Sequence, residues 1–309
     1  MKKISIIAPL YNEVDNLKKF YDRLLRVLVG LQYDYEIIYV DNYSDDNSIE
    51  IIKEQIDQNP KVKYIKMSRN FGPSVESSIS AGLENCTGDA AIILYTDVQD
   101  PPELISEFVK YWQQGYEVVY GKQKRRRGDF FLRNLFVKIY YKLFSYLSDV
   151  KLPPNAGDFR LVSRNVINIL NSMPEKSRYF RGLSSWVGFK SFPVEYDREP
   201  RSNGESSASF LSITRTAITA ISSFSVKPLR IITFFGFLSL LFSLFLTSIL
   251  ILNWFWSKAV PGLTTITVLI LMTSAINLLS LGILGEYISR IQIEVKNRPT
   301  YIIESKINF

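Results

Sequence analysis

The hydrophobic positions along this chain change rhythm twice. Up to about residue 120, short aliphatic runs alternate with amphipathic stretches of helical spacing. Ile4–Ala8 reads as a buried strand ended by Pro9. Asn12 can cap the helix that follows, whose apolar positions are Leu17, Phe20, Tyr21, Leu24 and Leu28. The unit then recurs. Strands are expected over Tyr35–Val40, Val62–Met67, Ala90–Leu94 and Glu117–Tyr120, with one more at Phe159–Val162. Helices between them carry Ile49, Ile52 and Ile56, then Val75, Ile79 and Leu83 behind Pro73, then Leu104, Ile105, Phe108 and Trp112 behind Pro101 and Pro102. Strands alternating with helices across short loops predict an α/β fold with a doubly wound, mostly parallel sheet. No internal repeat or low-complexity linker interrupts it.

After Gly121 the pattern is different. Lys122, Lys124, Arg125, Arg126 and Arg127 form a basic run, and residues 129–148 present Phe131, Leu135, Tyr140, Leu143, Phe144 and Leu147 among Arg133, Lys138 and Lys142. A basic, aromatic-rich amphipathic helix of this kind suits a membrane interface. A core helix with a solvated basic side is the other reading. The last change comes at about residue 227, where 229–252 and 263–285 are nearly free of charge. Each stretch of about 23–24 residues is about 35 Å of helix, enough for a hydrocarbon core of about 30 Å. The connection Asn253–Gly262 offers Trp254 and Trp256 as interfacial anchors, while Lys227, Arg230, Arg290, Lys296 and Arg298 flank the outer ends. That asymmetry predicts both termini on the cytoplasmic side of a cell membrane. The expected division is an α/β domain over 1–226, including the amphipathic segment at about 129–148, and two transmembrane helices with a cytoplasmic tail over 227–309.

Composition narrows the chemistry. The 309 residues carry 37 basic and 30 acidic side chains, a net charge of +7, which suits an anionic membrane surface; the contiguous aromatics of 129–148 speak against nucleic acid. There is no histidine, so acid–base or metal chemistry falls to carboxylates. The single Cys86 excludes an intramolecular disulfide and cysteine-cluster metal sites, and reads as a small buried residue. The N-terminal MKKISIIAPLYNE is too short in apolar length for a signal peptide.

The stretch Ile92–Glu103, IILYTDVQDPPE, concentrates the candidate chemistry. An apolar strand stops at Asp97, Gln99 and Asp100, and ligands of open α/β sheets bind at the C-terminal ends of parallel strands. Mg²⁺ or Mn²⁺ takes oxygen ligands and is commonly held by one or two carboxylates plus substrate phosphates, which Asp97 with Gln99 can supply. Asp41, at the end of another strand, would share that rim and could accept from a ribose or a base. Alternatives to such a site are an ordinary strand-to-helix turn at 97–103, a turn carboxylate at Asp158 and a solvated charge at Arg201.

Eight segments taken in order carry a resemblance: SIIAPLYNE (Ser5–Glu13), DNYSD (Asp41–Asp45), SRNFG (Ser68–Gly72), DVQDPPE (Asp97–Glu103), GDFR (Gly157–Arg160), RSNGES (Arg201–Ser206), SFSVKPLR (Ser223–Arg230) and GEYISRIQIEVKNRP (Gly285–Pro299). Together they resemble the polyprenyl-phosphate glycosyltransferases of glycosyltransferase family 2, bactoprenol glucosyltransferase-like and dolichol-phosphate mannose synthase-like enzymes with a GT-A fold. The resemblance implies inverting transfer of a sugar from a nucleotide-sugar, UDP-glucose by default, to a polyprenyl (undecaprenyl) phosphate, in a homo-oligomer at the cytoplasmic membrane face. It implies a nucleotide-sugar pocket at Pro9, Tyr11, Glu13, Asp41, Asn70, Gly72 and Asp97, a metal on Asp97 and Gln99, and a catalytic pair in Asp158 and Arg201. Lipid contact is expected at Arg125, Arg126, Arg127, Arg133, Lys227 and Arg230. Because a phosphate monoester is largely ionised at neutral pH, with a second pKa of about 6, Asp158 can serve to orient the acceptor without being an obligatory base.

Three departures from the family pattern stand out. Tyr95 occupies the place of the first acid in DAD, Asp41-Asn42-Tyr43-Ser44 replaces DDGS, and Ser207 replaces the lysine of GESK. They point to a weakened metal site, an altered donor, or both. Rival readings are a catalytically weakened relative acting as a membrane scaffold or donor-binding protein, a processive polysaccharide synthase, for which the Gln-x-x-Arg-Trp motif is missing, and a binder of anionic lipid or nucleic acid.

Overall fold

The computed structural model describes residues 2–72, 75–124, 153, 155–199, 225–256 and 262–309. The expected helix at 129–148, the Pro73 helix start, the basic residues Arg125, Arg126, Arg127 and Arg133, and Arg201 with the GESS segment all lie outside the described residues. In chain order the elements are β1 (Lys3–Leu10), α1 (Val14–Gly30), β2 (Asp34–Asp41), α2 (Ser48–Gln58), β3 (Val62–Met67), α3 (Glu76–Asn85), β4 (Ala90–Ile93), a 3₁₀ turn (Pro102–Leu104) running into α4 (Ile105–Gln113), β5 (Val118–Gln123), β6 (Ala156–Ser163), α5 (Arg164–Ser172), α6 (Phe180–Trp186), β7 (Ser191–Tyr196), α7 (Lys227–Trp256), α8 (Leu263–Lys296) and β8 (Ile303–Ile307).

Eight strands form one sheet in the order β7-β5-β6-β4-β1-β2-β3-β8. The central pairs β4/β1, β1/β2 and β2/β3 are parallel. β6 runs antiparallel to both β4 and β5, β7 is parallel to β5, and β8 is antiparallel to β3. Strand alternation sends Ile4, Ile6, Ala8 and Leu10 to a layer with Leu17 and Phe20 of α1, Ile52 of α2 and Phe108 of α4. Ile7, Ile38, Ile65 and Ile93 point the other way, onto Ile79 and Leu83 of α3, Val166 and Leu170 of α5 and Phe180 of α6. Both faces are covered, so the central strands read as continuous apolar runs. Close contact between layers fixes one glycine: a Cβ on Gly82 would stand 2.3 Å from Ile7 Cγ2.

Several details differ from the sequence expectations. Pro9 does not end β1, which continues to Leu10; its missing N–H costs nothing because β4 pairs β1 only as far as Ile7. Asn12 does not cap α1: it has φ +53°, and its amide exchanges hydrogen bonds with Asp45. Asp158 lies within a strand, β6, rather than in a turn ahead of it. The helices α5 and α6 and the strands β7 and β8 were unforeseen; by β8 the C-terminal segment returns to the sheet, with Tyr301 donating to Glu84 and Ser77 donating to the Thr300 carbonyl at 3.0 Å.

The helices α7 and α8 hold 30 and 34 residues. Helix therefore persists through Trp256, and the connection is shorter than Asn253–Gly262. Among the described residues, no helix is long and apolar enough to cross a membrane.

At the opposite end of the sheet from the loops after β1, β2 and β4, Glu36 is buried with 1% exposure. It accepts from Ser5 Oγ at 2.6 Å, the Thr87 amide at 2.6 Å, and Lys3 and Lys63 at 2.9 Å each. Burial alone would raise its carboxyl, but these donors outweigh burial and hold it down at about 2. Because the folded value lies below the ordinary 4.5, the stabilisation of about 3 kcal/mol is complete above that value and is lost as pH falls toward about 2. Glu36→Gln is expected to cost about 2–4 kcal/mol at pH 7. Thermal melts from pH 7 to pH 3 should show the variant's deficit shrinking on the acid side, and a constant deficit would contradict the assignment.

Candidate active site

The loops after β1, β2, β3 and β4 gather on one rim of the sheet. Parallel register sets Leu10 beside Asp41 and Asp41 beside Lys66, so three strands end together. Asp41 is 1% exposed and organises its own loop: Oδ1 accepts from the Ser44 amide (2.8 Å) and hydroxyl (2.6 Å), and Oδ2 from Tyr64 Oη (2.6 Å). Burial and this carboxylate push the Tyr64 phenol well up. Asn42 then staples the third loop to the second. Its Nδ2 donates to Asn70 Oδ1 (3.2 Å) and the Gly72 carbonyl (3.1 Å), and its Oδ1 accepts from the Phe71 amide (3.0 Å). An ionised aspartate could accept but not donate here, which gives the Asn42 departure a physical reason. Tyr43 sits at φ +71°, the left-handed region a glycine would occupy without strain. Pro9 is the penultimate residue of β1, Tyr11 is 46% exposed on the rim, and Glu13 precedes α1 and accepts from Asn16 at 2.6 Å.

The turn after β4 is tightly constrained. Val98 is 2% exposed at φ +57°, an uncommon conformation for a β-branched side chain, and it separates Asp97 from Gln99. Asp97 Oδ1 accepts from the Gln99 amide at 3.3 Å, while Arg198 Nη2 stands 3.9 Å from Oδ2. Asp100 is 3% exposed, accepts from Tyr196 Oη and Arg198 Nε, and is raised by burial against the pull of Arg198. The segment after β7 is thereby fastened to this turn, with the Glu199 amide donating to the Gln99 carbonyl at 2.9 Å. Arg23 of α1 adds a clamp from outside, bonding both Glu103 and Glu199.

β6 supplies the other wall. Its antiparallel register pairs Arg160 with Ile93, so two residues further along the rim Asp158 comes opposite Tyr95. Tyr95 Oη donates to Asp158 Oδ2 at 2.8 Å. Arg181 of α6 grips the same carboxylate with Nε to Oδ1 at 2.7 Å and Nη2 to Oδ2 at 2.6 Å. Burial alone would raise Asp158, but the charge and hydrogen bonds of Arg181 outweigh it and keep the group ionised, below the usual carboxylate range. Glu76 of α3 is shifted the opposite way, raised by burial and then by the charge of Asp158. Arg160 is 2% exposed behind this pair, donating to the Gly157 carbonyl at 2.6 Å and to Ser184.

The structure thus brings Pro9, Tyr11, Glu13, Asp41, Asn70, Gly72, Asp97, Gln99 and Asp158 to one side of the sheet; Lys227 and Arg230 begin α7. Sequence reasoning missed Arg181, Arg198 and Glu76. No local motif marks them, because each acts across more than 20 positions of chain. As donors for a metal, Asp97 and Gln99 fit the sparse kind of site that relies on substrate phosphates. Asp158 is already saturated, and the Tyr95 phenol, raised by burial and by Asp158, is a neutral donor and no substitute for a carboxylate. Among the described residues, no group of three or more acidic side chains is arranged to hold a metal.

The sequence profile of glycosyl transferase family 2 matches residues 5–170. A glycosyltransferase of Synechocystis sp., described as uncharacterized, is 39% identical over 302 residues, covering 97% of this chain and 94% of its own. The SfII prophage-derived bactoprenol glucosyl transferase of Shigella flexneri is 36% identical over 310 residues, covering 98% of this chain and 97% of its own. A prophage bactoprenol glucosyl transferase homolog of Escherichia coli K12 is 36% identical over 303 residues, covering 98% of each.

The loop chemistry makes two opposite mutational predictions. Asn42→Asp removes the donations to Asn70 and Gly72 and should destabilise by about 1–3 kcal/mol, with faster amide exchange at Phe71. Tyr43→Gly relieves the left-handed strain and should stabilise by about 1 kcal/mol. Equal melting temperatures for both variants and the parent would contradict this account of the rim.

Proposed function

The chain belongs to glycosyl transferase family 2, and from that membership we propose that it moves a sugar from a nucleotide-sugar to a polyprenyl phosphate at the surface of a membrane. One pairing of features carries the reading. A polar rim of carboxylates, arginines and exposed Tyr11 sits on the same chain as two long helices that expose Phe234, Phe237, Phe242, Leu278 and Leu281 by half or more of their surface. Side chains apolar around the whole helix suit lipid on every side. The start of α7 meets α8, where Tyr287 donates to the Ser225 carbonyl at 2.6 Å, and α8 ends beside the sheet domain, where Glu294 accepts the backbone amides of Lys176 and Ser177. This supports a membrane hairpin over about 229–252 and 263–285, with the domain 1–226 and the returning tail on one side. The cationic flanks favour the cytoplasmic side. Assembly into a homo-oligomer belongs to the same proposal.

The chemistry asked of the site is modest. An acceptor phosphate oxygen attacks the anomeric carbon, the bond to the diphosphate breaks, and the nucleoside diphosphate departs with the electron pair. Tyr11, the end of β2 at Asp41 and the loop holding Asn70 and Gly72 would receive the nucleoside, for which UDP-glucose is the default donor. Asp97 and the side-chain oxygen of Gln99 would hold Mg²⁺ or Mn²⁺, which supplies positive charge at the diphosphate when bound. Tyr95 contributes no third ligand. Arg201, the other residue the resemblance assigns to catalysis, stays with that proposal, as do the lipid contacts of Arg125–Arg127, Arg133, Lys227 and Arg230.

Full-length protein in lipid nanodiscs, given radiolabelled nucleotide-sugars and undecaprenyl phosphate, should form a lipid-linked sugar. Asp97→Ala should lower the rate about 10²–10³-fold, and EDTA should do likewise. A nucleotide-sugar that binds without ever yielding lipid-linked product would favour a donor-binding scaffold; product undiminished in Asp97→Ala would refute the metal assignment. Tyr95→Asp should tighten Mn²⁺ binding, and unchanged affinity would count against a site weakened at that position.

A further inference from the structure

The carboxylate that the resemblance offers as a base has little freedom to act as one. Asp158 receives three hydrogen bonds, two from Arg181 and one from Tyr95, and both of its oxygens are engaged. It is 6% exposed, whereas the Arg181 side chain is 37% exposed. A guanidinium carries five N–H donors, and the fork to Asp158 uses two of them. The Nη1 edge finds no acceptor among the described residues. Arg160 cannot take its place, being turned inward to Gly157 and Ser184. The pair therefore presents a planar cation, fixed in orientation from behind, beside the turn that carries Asp97.

We propose that Arg181 is the receptor for the phosphate of the lipid acceptor, and that Asp158 acts by holding Arg181 in place rather than by accepting a proton. This rests on the reading that the acceptor is a polyprenyl phosphate. Such an acceptor is largely a dianion at neutral pH, so formation of the new carbon–oxygen bond and loss of the nucleoside diphosphate balance without any proton transfer. What the dianion needs is a cation to draw it out of water next to a carboxylate-lined site. A guanidinium offers paired donors matched to phosphate oxygens, which a lysine does not. Tyr95 fits the same arrangement: a carboxylate in its place would compete for Arg181, while its phenol donates to Asp158 and makes no claim on the arginine.

The test uses the full chain in nanodiscs, with undecaprenyl phosphate and the working nucleotide-sugar varied separately. Arg181→Gln should raise the KM for undecaprenyl phosphate about 10–100-fold, with a smaller rise in Arg181→Lys and no change in donor KM. Asp158→Asn should share the acceptor defect while its kcat at saturating acceptor stays within about tenfold of wild type; loss of a general base would cost about 10²–10⁴ in kcat. An unchanged acceptor KM in both Arg181 variants overturns the proposal, as does a rise confined to the donor KM, which would assign Arg181 to the diphosphate. Calorimetric binding of the nucleotide checks folding; if Arg181→Gln fails it, Arg181→Lys decides alone. Wild-type protein that transfers nothing to undecaprenyl phosphate would refute the functional reading, and this inference with it.

Discussion

The arrangement of the site depends on one ion pair, Asp158 with Arg181. It joins β6 to α6 across the sheet's rim and holds Tyr95, two residues before Asp97, through a third hydrogen bond. Burying a carboxylate in this way is unfavourable unless its charge is met and its lone pairs are filled. Here both conditions hold, and a carboxylate so satisfied is a poor proton acceptor. The same geometry that makes Asp158 stable also makes Arg181 rigid. A cation set beside the turn that carries Asp97 is the natural counterpart of an anionic acceptor.

Two adjacent departures from the family pattern, Asn42 and Tyr43, shape the loop after β2. Asn42 in place of an acid donates as well as accepts, and so ties the second loop to the third. Tyr43 pays for a missing glycine with a left-handed backbone, and Lys66 stacks over its ring at 5.4 Å. Val98 holds a comparable strain between Asp97 and Gln99, in a turn pinned by Arg198, Tyr196 and the Glu199 amide. Strain of this kind persists only where the surroundings over-determine the conformation. The rim is a pre-set frame whose charge has been reduced by one carboxylate at Tyr95.

Much of this frame was legible in the chain. Period-two and helical spacing located β3 to the residue and the other early strands to within one to three residues, because buried central strands leave a plain apolar signature. The strand-end carboxylates were legible for the same reason, since a parallel sheet presents its ligand rim wherever such runs stop. Pairings across long separations were not. Arg181 finds Asp158 over 23 positions and Arg23 finds Glu199 over 176, and no periodicity records either. Pro9 and Asn12 were misread because their roles depend on where neighbouring strands end, a property of the sheet and not of the local sequence. β8 escaped because a short edge strand with charged alternate positions resembles a polar tail.

In the proposed reaction an already ionised lipid phosphate, and no enzyme carboxylate, supplies the charge of the nucleophile. The direct measurement is the pH profile of kcat/KM for undecaprenyl phosphate compared with a phosphonate analogue whose second ionisation lies higher. If the acceptor's own ionisation governs the acidic limb, that limb should lie near pH 6 with the phosphate and move upward with the phosphonate. An acidic limb that stays in place when the acceptor is changed would assign the controlling group to the protein and contradict the claim.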